Sequence, residues 1–131
     1  MFKKLLIGTL CLASVNAFSY ANLEINVPSD TAIAGEVRDL KGEITYGIQN
    51  NTKVPQTYRI AYDICPQSKQ CYAENFSVRL MSGERVQQKF EVSKAVTYGK
   101  AGRYNTIVSA QINGESNSMK EGIGLLTVYA R

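Results

Sequence analysis

Two neighbouring segments of this sequence alternate regularly between apolar and polar residues, and no other feature constrains the fold as strongly. The alternation runs from Glu43 to Gln49 and again from Gln56 to Ile64. Side chains of an extended chain point to opposite faces in turn, so each segment is predicted to be a β-strand with one buried face. The predicted inward residues are Ile44, Tyr46, Ile48, Tyr58, Ile60, Tyr62 and Ile64.

Further segments repeat this pattern on both sides of the central pair. Leu23 to Val27 reads as a strand that Pro28 ends, and a short edge strand is predicted around Ile33 within the otherwise irregular stretch 29–41. Later strands are predicted over 76–80, 86–92, 104–112 and 123–129, with a ten-residue connector over 93–102 and turns at 82–84 and 113–114. Gln88 would point inward, which indicates an open edge or a polar partner there. The chain is therefore predicted to be all-β: a single antiparallel β-sandwich of about seven strands.

The first residues have the composition of a secretory signal peptide. Lys3 and Lys4 form a positive head, and an apolar run to Val15 is followed by small residues at Ala17 and Ala21. We predict a signal peptide over 1–21 and a folded domain over 22–131, although cleavage after Ala17 fits almost as well. The apolar run is too short to span a bilayer, so no stable membrane anchor is predicted.

The charge pattern does not suggest a nucleic-acid-binding protein. The formal net charge is +4, and loss of Lys3 and Lys4 would lower it to +2. Both signs are mixed along the chain, whereas a nucleic-acid footprint needs basic residues clustered on one face. We therefore expect no nucleic acid among the partners.

Two cysteines remain outside the signal peptide, Cys65 and Cys71. In a secreted chain an isolated pair predicts a disulfide. The alternative, a metal site, lacks further ligands because the sequence contains no histidine. A redox function is disfavoured because five residues separate the cysteines instead of the two of the Cys-x-x-Cys motif. A ring of this size stabilises a fold by about 2 to 2.5 kcal/mol on the chain-entropy model.

Ala101 to Tyr104, at the start of the penultimate strand, resembles the tyrosine corner of immunoglobulin-like and fibronectin-like domains. The turn at 82–84 is also similar to one common there. The resemblance implies an immunoglobulin-like sandwich in which the Tyr104 hydroxyl bonds back to the preceding connection. The chain departs from antibody domains because it lacks their inter-sheet cysteine pair and has no tryptophan. The resemblance implies architecture and no particular function.

The residue inventory argues against an enzyme. Without histidine, the commonest general base is missing, and the Gly-x-Ser-x-Gly motif does not occur. Asp63 and Glu74 flank the cysteine loop, but we interpret them as an outward strand charge and an edge charge. No catalytic residue, cofactor or metal site is predicted.

Sandwich topology places the cysteine loop at the same end as the connector between the fifth and sixth predicted strands. Tyrosines combined with cations suit protein recognition, and a stapled loop lowers the ordering cost of binding. The candidate binding surface comprises Gln67, Lys69, Gln70, Tyr72, Lys94, Tyr98 and Lys100. A purely structural role for the disulfide is the alternative. The opposite end, around 50–52 and the loop 113–120, is a second candidate surface.

The sequence thus predicts a non-enzymatic secreted or periplasmic module that acts through protein–protein contacts. Its partner would be another envelope or extracellular protein, and its oligomeric state is open. One alternative is a secreted protease inhibitor, because small immunoglobulin-like inhibitors of cysteine proteases are similar in size and fold; their Asn-Pro-Thr-Thr-Gly loop is missing here. There are two further alternatives. One is a subunit of a pilus or adhesin, and the other is a carbohydrate-binding module that stacks sugars on tyrosine.

Overall fold

The computed structural model describes residues 20–113 and 118–131 of the 131-residue chain. These ranges contain eight strands and no α-helix. The strands are β1 (Tyr20–Asn26), β2 (Asp30–Ile33), β3 (Val37–Gln49), β4 (Gln56–Pro66), β5 (Tyr72–Leu80), β6 (Arg85–Thr97), β7 (Gly102–Ile112) and β8 (Lys120–Tyr129). The all-β prediction is confirmed, and the short strand predicted around Ile33 is present as β2. Within the described residues no helix is long and apolar enough to cross a membrane.

The strands form two sheets that pack face to face. One sheet has the order β1-β3-β6, and the other has the order β2-β8-β7-β4-β5. All neighbours are antiparallel except β2, which runs parallel to β8. In immunoglobulin lettering, strands A, B and E face strands A′, G, F, C and C′. The predicted immunoglobulin-like sandwich is therefore confirmed.

The core lies between the sheets and consists of the alternating residues that the sequence pattern predicted. Ile44, Ile60 and Ile64 are fully buried, whereas Tyr62 is only half-buried. The buried apolar residues are Leu23, Leu40, Ile44, Tyr46, Ile48, Tyr58, Ile60, Ile64, Leu80, Val92, Val96, Tyr98, Val108, Ala110, Ile112, Leu126 and Val128. Each fully buried aliphatic side chain contributes about 1.5 to 3 kcal/mol of transfer free energy, which makes this layer the main source of stability.

Four aromatic rings close the side of the sandwich where the edge strands β5 and β6 approach each other. Phe90 of β6 lies 4.9 Å from Tyr62 and 5.3 Å from Phe76, both edge to face, and Tyr46 completes the group. Edge-to-face pairs add about 0.5 to 1.5 kcal/mol beyond their buried area. Burial raises the pKa of the Tyr46 and Tyr62 phenols, with a further contribution at Tyr62 from the charge of Glu74.

The predicted ten-residue connector over 93–102 is wrong. β6 continues to Thr97, because it pairs with β3 without interruption from Gln49↔Arg85 to Val37↔Thr97. For the same reason the stretch 29–41 is less irregular than predicted, since its last five residues already belong to β3. Ser93 to Thr97 carry little apolar alternation, and their strand conformation is imposed by the partner strand.

Other boundaries follow the sequence more closely. β8 begins at Lys120, three residues before the predicted start. Gln88 belongs to the inward row of β6 but is exposed, which agrees with the predicted open edge because β6 is the last strand of its sheet. Residues 1–19 of the predicted signal peptide lie outside the described part of the chain. The tip of the predicted hairpin loop, 114–117, lies outside it too.

Candidate interaction surface

The cysteine loop joins the end of β4 to the start of β5. Cys65 and Cys71 form a disulfide, as predicted, with their Cα atoms 4.2 Å apart. Both cysteines lie on the outer face of the five-stranded sheet, opposite to the core row that contains Ile64 and Pro66. The disulfide therefore closes the loop from outside the sandwich and takes no part in the core.

Hydrogen bonds hold the loop against the neighbouring strands. The Gln67 amide donates to the Asn105 carbonyl at 2.8 Å, and the Asn105 amide donates to Gln67 Oε1 at 2.9 Å. Lys69 Nζ donates to the Thr97 carbonyl at 2.8 Å and lies 5.0 Å from the centre of the Tyr98 ring. The loop is thus fixed at both of its neighbours, β7 and the end of β6.

The structure brings the two halves of the predicted surface together but distributes its side chains unequally. Tyr98 donates its hydroxyl to the Gln67 carbonyl at 2.7 Å, and Lys69 lies over the same ring. Tyr98 is buried and Lys94 is half-buried, so neither is a freely accessible contact residue. The exposed members are Gln67, Lys69, Gln70, Tyr72 and Lys100. A binding role for these residues stays a prediction.

Tyr104 forms the predicted tyrosine corner. Its hydroxyl donates to the Lys100 carbonyl at 2.9 Å, which ties the start of β7 to the preceding connection. Its ring stacks on that of Tyr98, with centroids 3.8 Å apart. Burial raises the pKa of the Tyr98 phenol, and the nearby Tyr104 phenolate would raise it further.

Asp63 and Glu74 do not form a carboxylate pair, because they belong to opposite faces of the five-stranded sheet. Glu74 lies in the row of Phe76 and accepts the Tyr72 hydroxyl at 2.7 Å; this hydrogen bond is the main reason that the Tyr72 pKa is raised. Asp63 lies in the row of Cys65, and its Oδ1 is buried without a hydrogen-bond partner among the described residues. The interpretation of Asp63 as an ordinary outward charge is therefore incomplete.

The second candidate surface, at the other end, is built around a structural residue. Asn50 is completely buried. Its Nδ2 donates to the carbonyls of Val54 and Leu80, at 2.9 and 3.1 Å, while its Oδ1 accepts from Thr52. Asn50 therefore organises the turn and is not available to a partner.

An exposed apolar face is the feature that the sequence reasoning missed. On the outer side of the five-stranded sheet, Ile123 is 62% exposed, and it lies opposite the half-buried Ile107, which in turn lies opposite Cys65. Ile33 and Tyr129 are paired at one end of this side and are also exposed. We call Ile33, Ile107, Ile123, Leu125 and Tyr129 the outer patch. The sequence signal for the patch is that β8 is apolar on both faces.

A cavity of about 460 Å³ lies on the same side of the sheet. Its lining includes Asp63, Ala73, Ser109 and Met119. Asp63 and Ser109 are direct neighbours across β4 and β7. Within residues 20–113 and 118–131, no three acidic, cysteine or histidine side chains lie close enough together to hold a metal ion.

No family model matches this chain, and no curated protein sequence matches it significantly. Among solved structures, it is similar to the CARDB domain of a Pyrococcus furiosus protein, solved in complex with di-metal ions. That match has 16% identity and a TM-score of 0.44, and it covers 90% of this chain and all of that domain. A β-glucosidase from Listeria innocua matches at 15% identity and a TM-score of 0.49 over 87% of this chain, which spans only 17% of the enzyme. A PapD-like domain of human CEP192 matches at 14% identity and a TM-score of 0.36, over 84% of this chain and 85% of that domain.

Proposed function

We propose that this protein is a non-enzymatic module of the periplasm or the extracellular space that acts by binding another protein. The single observation that supports the proposal most strongly is the outer patch. Ile123 lies beside the half-buried Ile107 and Leu125, and Ile33 and Tyr129 lie further along the same face; Ile123 and Tyr129 are each more than half exposed. Exposed apolar side chains gathered on one face of a sheet are typical of a protein–protein contact.

Asp63 adds a polar element to the same side of the sheet. A buried carboxylate oxygen without a donor destabilises the fold by about 1 to 3 kcal/mol. Asp63 Oδ1 is enclosed, so a donor on a partner would reach it only if the neighbouring side chains moved. The proposed partner therefore presents apolar residues to the outer patch.

The cysteine loop provides a rigid border to this side. Cys65 lies opposite Ile107 of the patch, and Gln67 is fixed to Asn105 on the same strand. Because the loop is already ordered, binding would cost little conformational entropy there. The exposed predicted contact residues Gln67, Lys69 and Gln70 would then form the polar rim of the interface.

The proposed compartment follows from the disulfide and the predicted signal peptide. Disulfides persist in oxidising compartments and are rare in the cytosol. A protease inhibitor of the same fold is the weaker alternative, and an inhibition assay against a papain-type protease should show no inhibition.

Site-specific photo-crosslinking in the native host tests the proposal. A photoreactive residue in place of Ile123 should give one protein adduct of defined mass, and Ile107→Glu should abolish it. The matched control is the same photoreactive residue at Lys89, an exposed position on the outer face of the other sheet, which should give none. If Ile123 gives no adduct and the purified protein is an inert monomer, the proposed function is wrong.

A further inference from the structure

Half of one edge of β3 has no neighbouring strand. On one side, β6 pairs with β3 along its whole length, from Val37 to Gln49. On the other side, β1 pairs only with the residues from Glu43 to Gln49. Among the described residues, the segment Val37–Lys41 therefore has a strand on one side alone. We call this uncovered edge the β3 lane.

The register identifies which backbone groups face the lane. The Asn50 amide donates to the Glu84 carbonyl at 2.9 Å, and the Asn50 carbonyl accepts from the Gly83 amide at 2.7 Å, so both backbone groups of Asn50 point towards β6 at the start of the ladder. Bonded and non-bonded pairs alternate in an antiparallel ladder, and the register is continuous down to Val37. The even-numbered residues of β3 consequently bond to β6. The amide and carbonyl groups of Val37, Asp39 and Lys41 point into the lane.

Proline explains why β1 does not continue along the lane. β1 pairs Asn26 with Glu43, so the next bonded position, opposite Lys41, belongs to Pro28. Proline has no amide hydrogen to donate, and the chain crosses here to the other sheet as β2. The lane is thus a direct result of the sequence at this crossover.

A groove of about 430 Å³ accompanies the lane. Its apolar lining includes Val27 of the crossover after β1, Leu40 of β3, and Leu125 and Leu126 of β8. Arg38, which forms an ion pair with Asp30 at 3.2 Å, also lines the groove. A side chain that entered opposite Leu40 would therefore meet these apolar residues together with polar side chains of the same lining, among them Ser29, Asp30 and Thr106.

The charges along the lane are unmatched. Asp39 lies opposite Ala95 of β6, and Lys41 lies opposite Ser93, so neither charge meets an opposite charge across the ladder. Neither forms an ion pair with any other residue in the described part of the chain. A strand added antiparallel to β3 would place one residue directly opposite each of them, where opposite charges are stabilising.

We propose that the β3 lane binds an extended segment of a partner protein by strand addition. The segment runs antiparallel to β3 and carries an acidic residue opposite Lys41, an apolar residue opposite Leu40 and a basic residue opposite Asp39. Main-chain hydrogen bonds supply affinity in this mode, and alternate side chains supply specificity. A single extended segment is the proposed occupant because the unmatched charges of Asp39 and Lys41 select its sequence, and the open groove beside Leu40 receives one side chain from it.

The test uses the secreted, oxidised protein, labelled with ¹⁵N, and the capped peptide Glu-Val-Lys-Thr-Val at millimolar concentration. The amides of Val37, Asp39 and Lys41 should shift and exchange more slowly. The charge-swapped peptide Lys-Val-Glu-Thr-Val should bind about 5-fold more weakly, which corresponds to two cross-strand charge pairs. The double variant Asp39→Lys with Lys41→Glu should reverse this preference.

The matched control is Lys89→Glu with Glu91→Lys, which swaps an equally spaced charge pair on the edge strand β6 and should leave the preference unchanged. Absence of binding, shifts confined to β5 and β6, or a preference that does not reverse would overturn the proposal. Concentration-dependent dimerisation through the lane would overturn it too. Leu125 of the outer patch also lines the groove beside the lane, but Ile107 does not. Ile107→Glu should therefore leave peptide binding unaffected, so failure of one proposal is distinguishable from failure of the other.

Discussion

At the loop end of the molecule, the hydroxyl groups of Tyr98 and Tyr104 each hold a connection in place. The two rings stack, and each hydroxyl donates to a backbone carbonyl of a different connection, Gln67 for Tyr98 and Lys100 for Tyr104. The cysteine loop, the connection before β7 and the end of β6 are thus joined through one pair of side chains. A hydrogen bond of this type contributes about 0.5 to 1.5 kcal/mol to stability.

We predict that Tyr104→Phe lowers the free energy of unfolding by about 1 kcal/mol, because the Lys100 carbonyl loses its donor while the stacked ring is kept. Urea unfolding followed by circular dichroism measures the change. Tyr129→Phe is the control, since that hydroxyl is exposed and makes no hydrogen bond to the described residues, and it should be neutral. Equal effects of the two substitutions would contradict a structural role for the corner.

Three tyrosines in and beside the core also predict that the stability of the protein depends on pH. The pKa values of Tyr46, Tyr62 and Tyr98 are raised above the ordinary value mainly by burial. Above pH of about 10 the unfolded chain loses these protons first, so the native state binds more protons than the unfolded state. Stability should therefore be full below about pH 10 and fall as the pH rises further. Urea unfolding over this range measures the slope, which should be shallower in Tyr98→Phe; constant stability would contradict the prediction.

Single residues also mark the limit of what the sequence could reveal. The Tyr104 hydrogen bond was predictable because its partner lies four residues away in a recognisable corner. The burial of Tyr98 was not, because Thr97 and Gly99 beside it give no apolar pattern and part of its cover comes from the distant cysteine loop. The unpartnered Asp63 oxygen likewise depends on strands that are far apart in sequence.

At the scale of elements, strand existence was easier to predict than strand length. The central strands β3 and β4 are predictable because buried apolar residues alternate with more exposed residues along them. In contrast, residues 37–41 of β3 and 93–97 of β6 are extended because their backbones pair with each other, although Ser93 to Thr97 are mostly polar. Pairing between distant segments leaves no local pattern, and this explains the wrong connector.

The crossover from β1 to β2 depends on close contact with β8. A Cβ atom on Gly124 would lie 2.9 Å from the Val27 carbonyl oxygen and 3.1 Å from that of Pro28. Backbone cannot move aside as a flexible side chain can, so we predict that Gly124→Ala lowers the free energy of unfolding by about 1 to 3 kcal/mol. Thermal or urea unfolding measures it.

Gly99→Ala is the matched control for this substitution, because nothing lies within 4 Å of the added Cβ and the position is exposed. It should leave stability unchanged within error. If Gly124→Ala is equally neutral, the crossover is looser than the packing against Val27 indicates. The groove beside the β3 lane would then also be wider than the positions of its lining residues indicate.

For the whole molecule, the sequence predicted the layered architecture better than the surfaces it presents. Burial of one face per strand determines the sandwich, and that information is local. Which face of β8 meets solvent depends on the order of strands in the sheet, so the outer patch could be recognised only after Ile123 was placed opposite Ile107. The β3 lane depends similarly on where β1 leaves its sheet.

The same architecture bears on where the predicted signal peptide would be cleaved. Tyr20 and Ala21 begin β1, where they pair with Gln49 and Ile48, and Ala21 packs against the core. Cleavage after Ala21 would remove both residues from a seven-residue strand. We therefore predict cleavage after Ala17, the alternative site, so that the secreted protein begins at Phe18.

Intact-mass spectrometry of the secreted protein distinguishes the two sites. A chain that begins at Phe18 should also unfold at higher urea concentration than one made to begin at Asn22, because it keeps both strand residues and the packing of Ala21. A chain with Ala21 replaced by Ser, begun at Phe18, separates the contribution of that packing from the contribution of strand length. A mature mass that begins at Asn22, or equal stability of the two chains, would contradict the prediction, and an uncleaved mass would contradict the signal peptide itself.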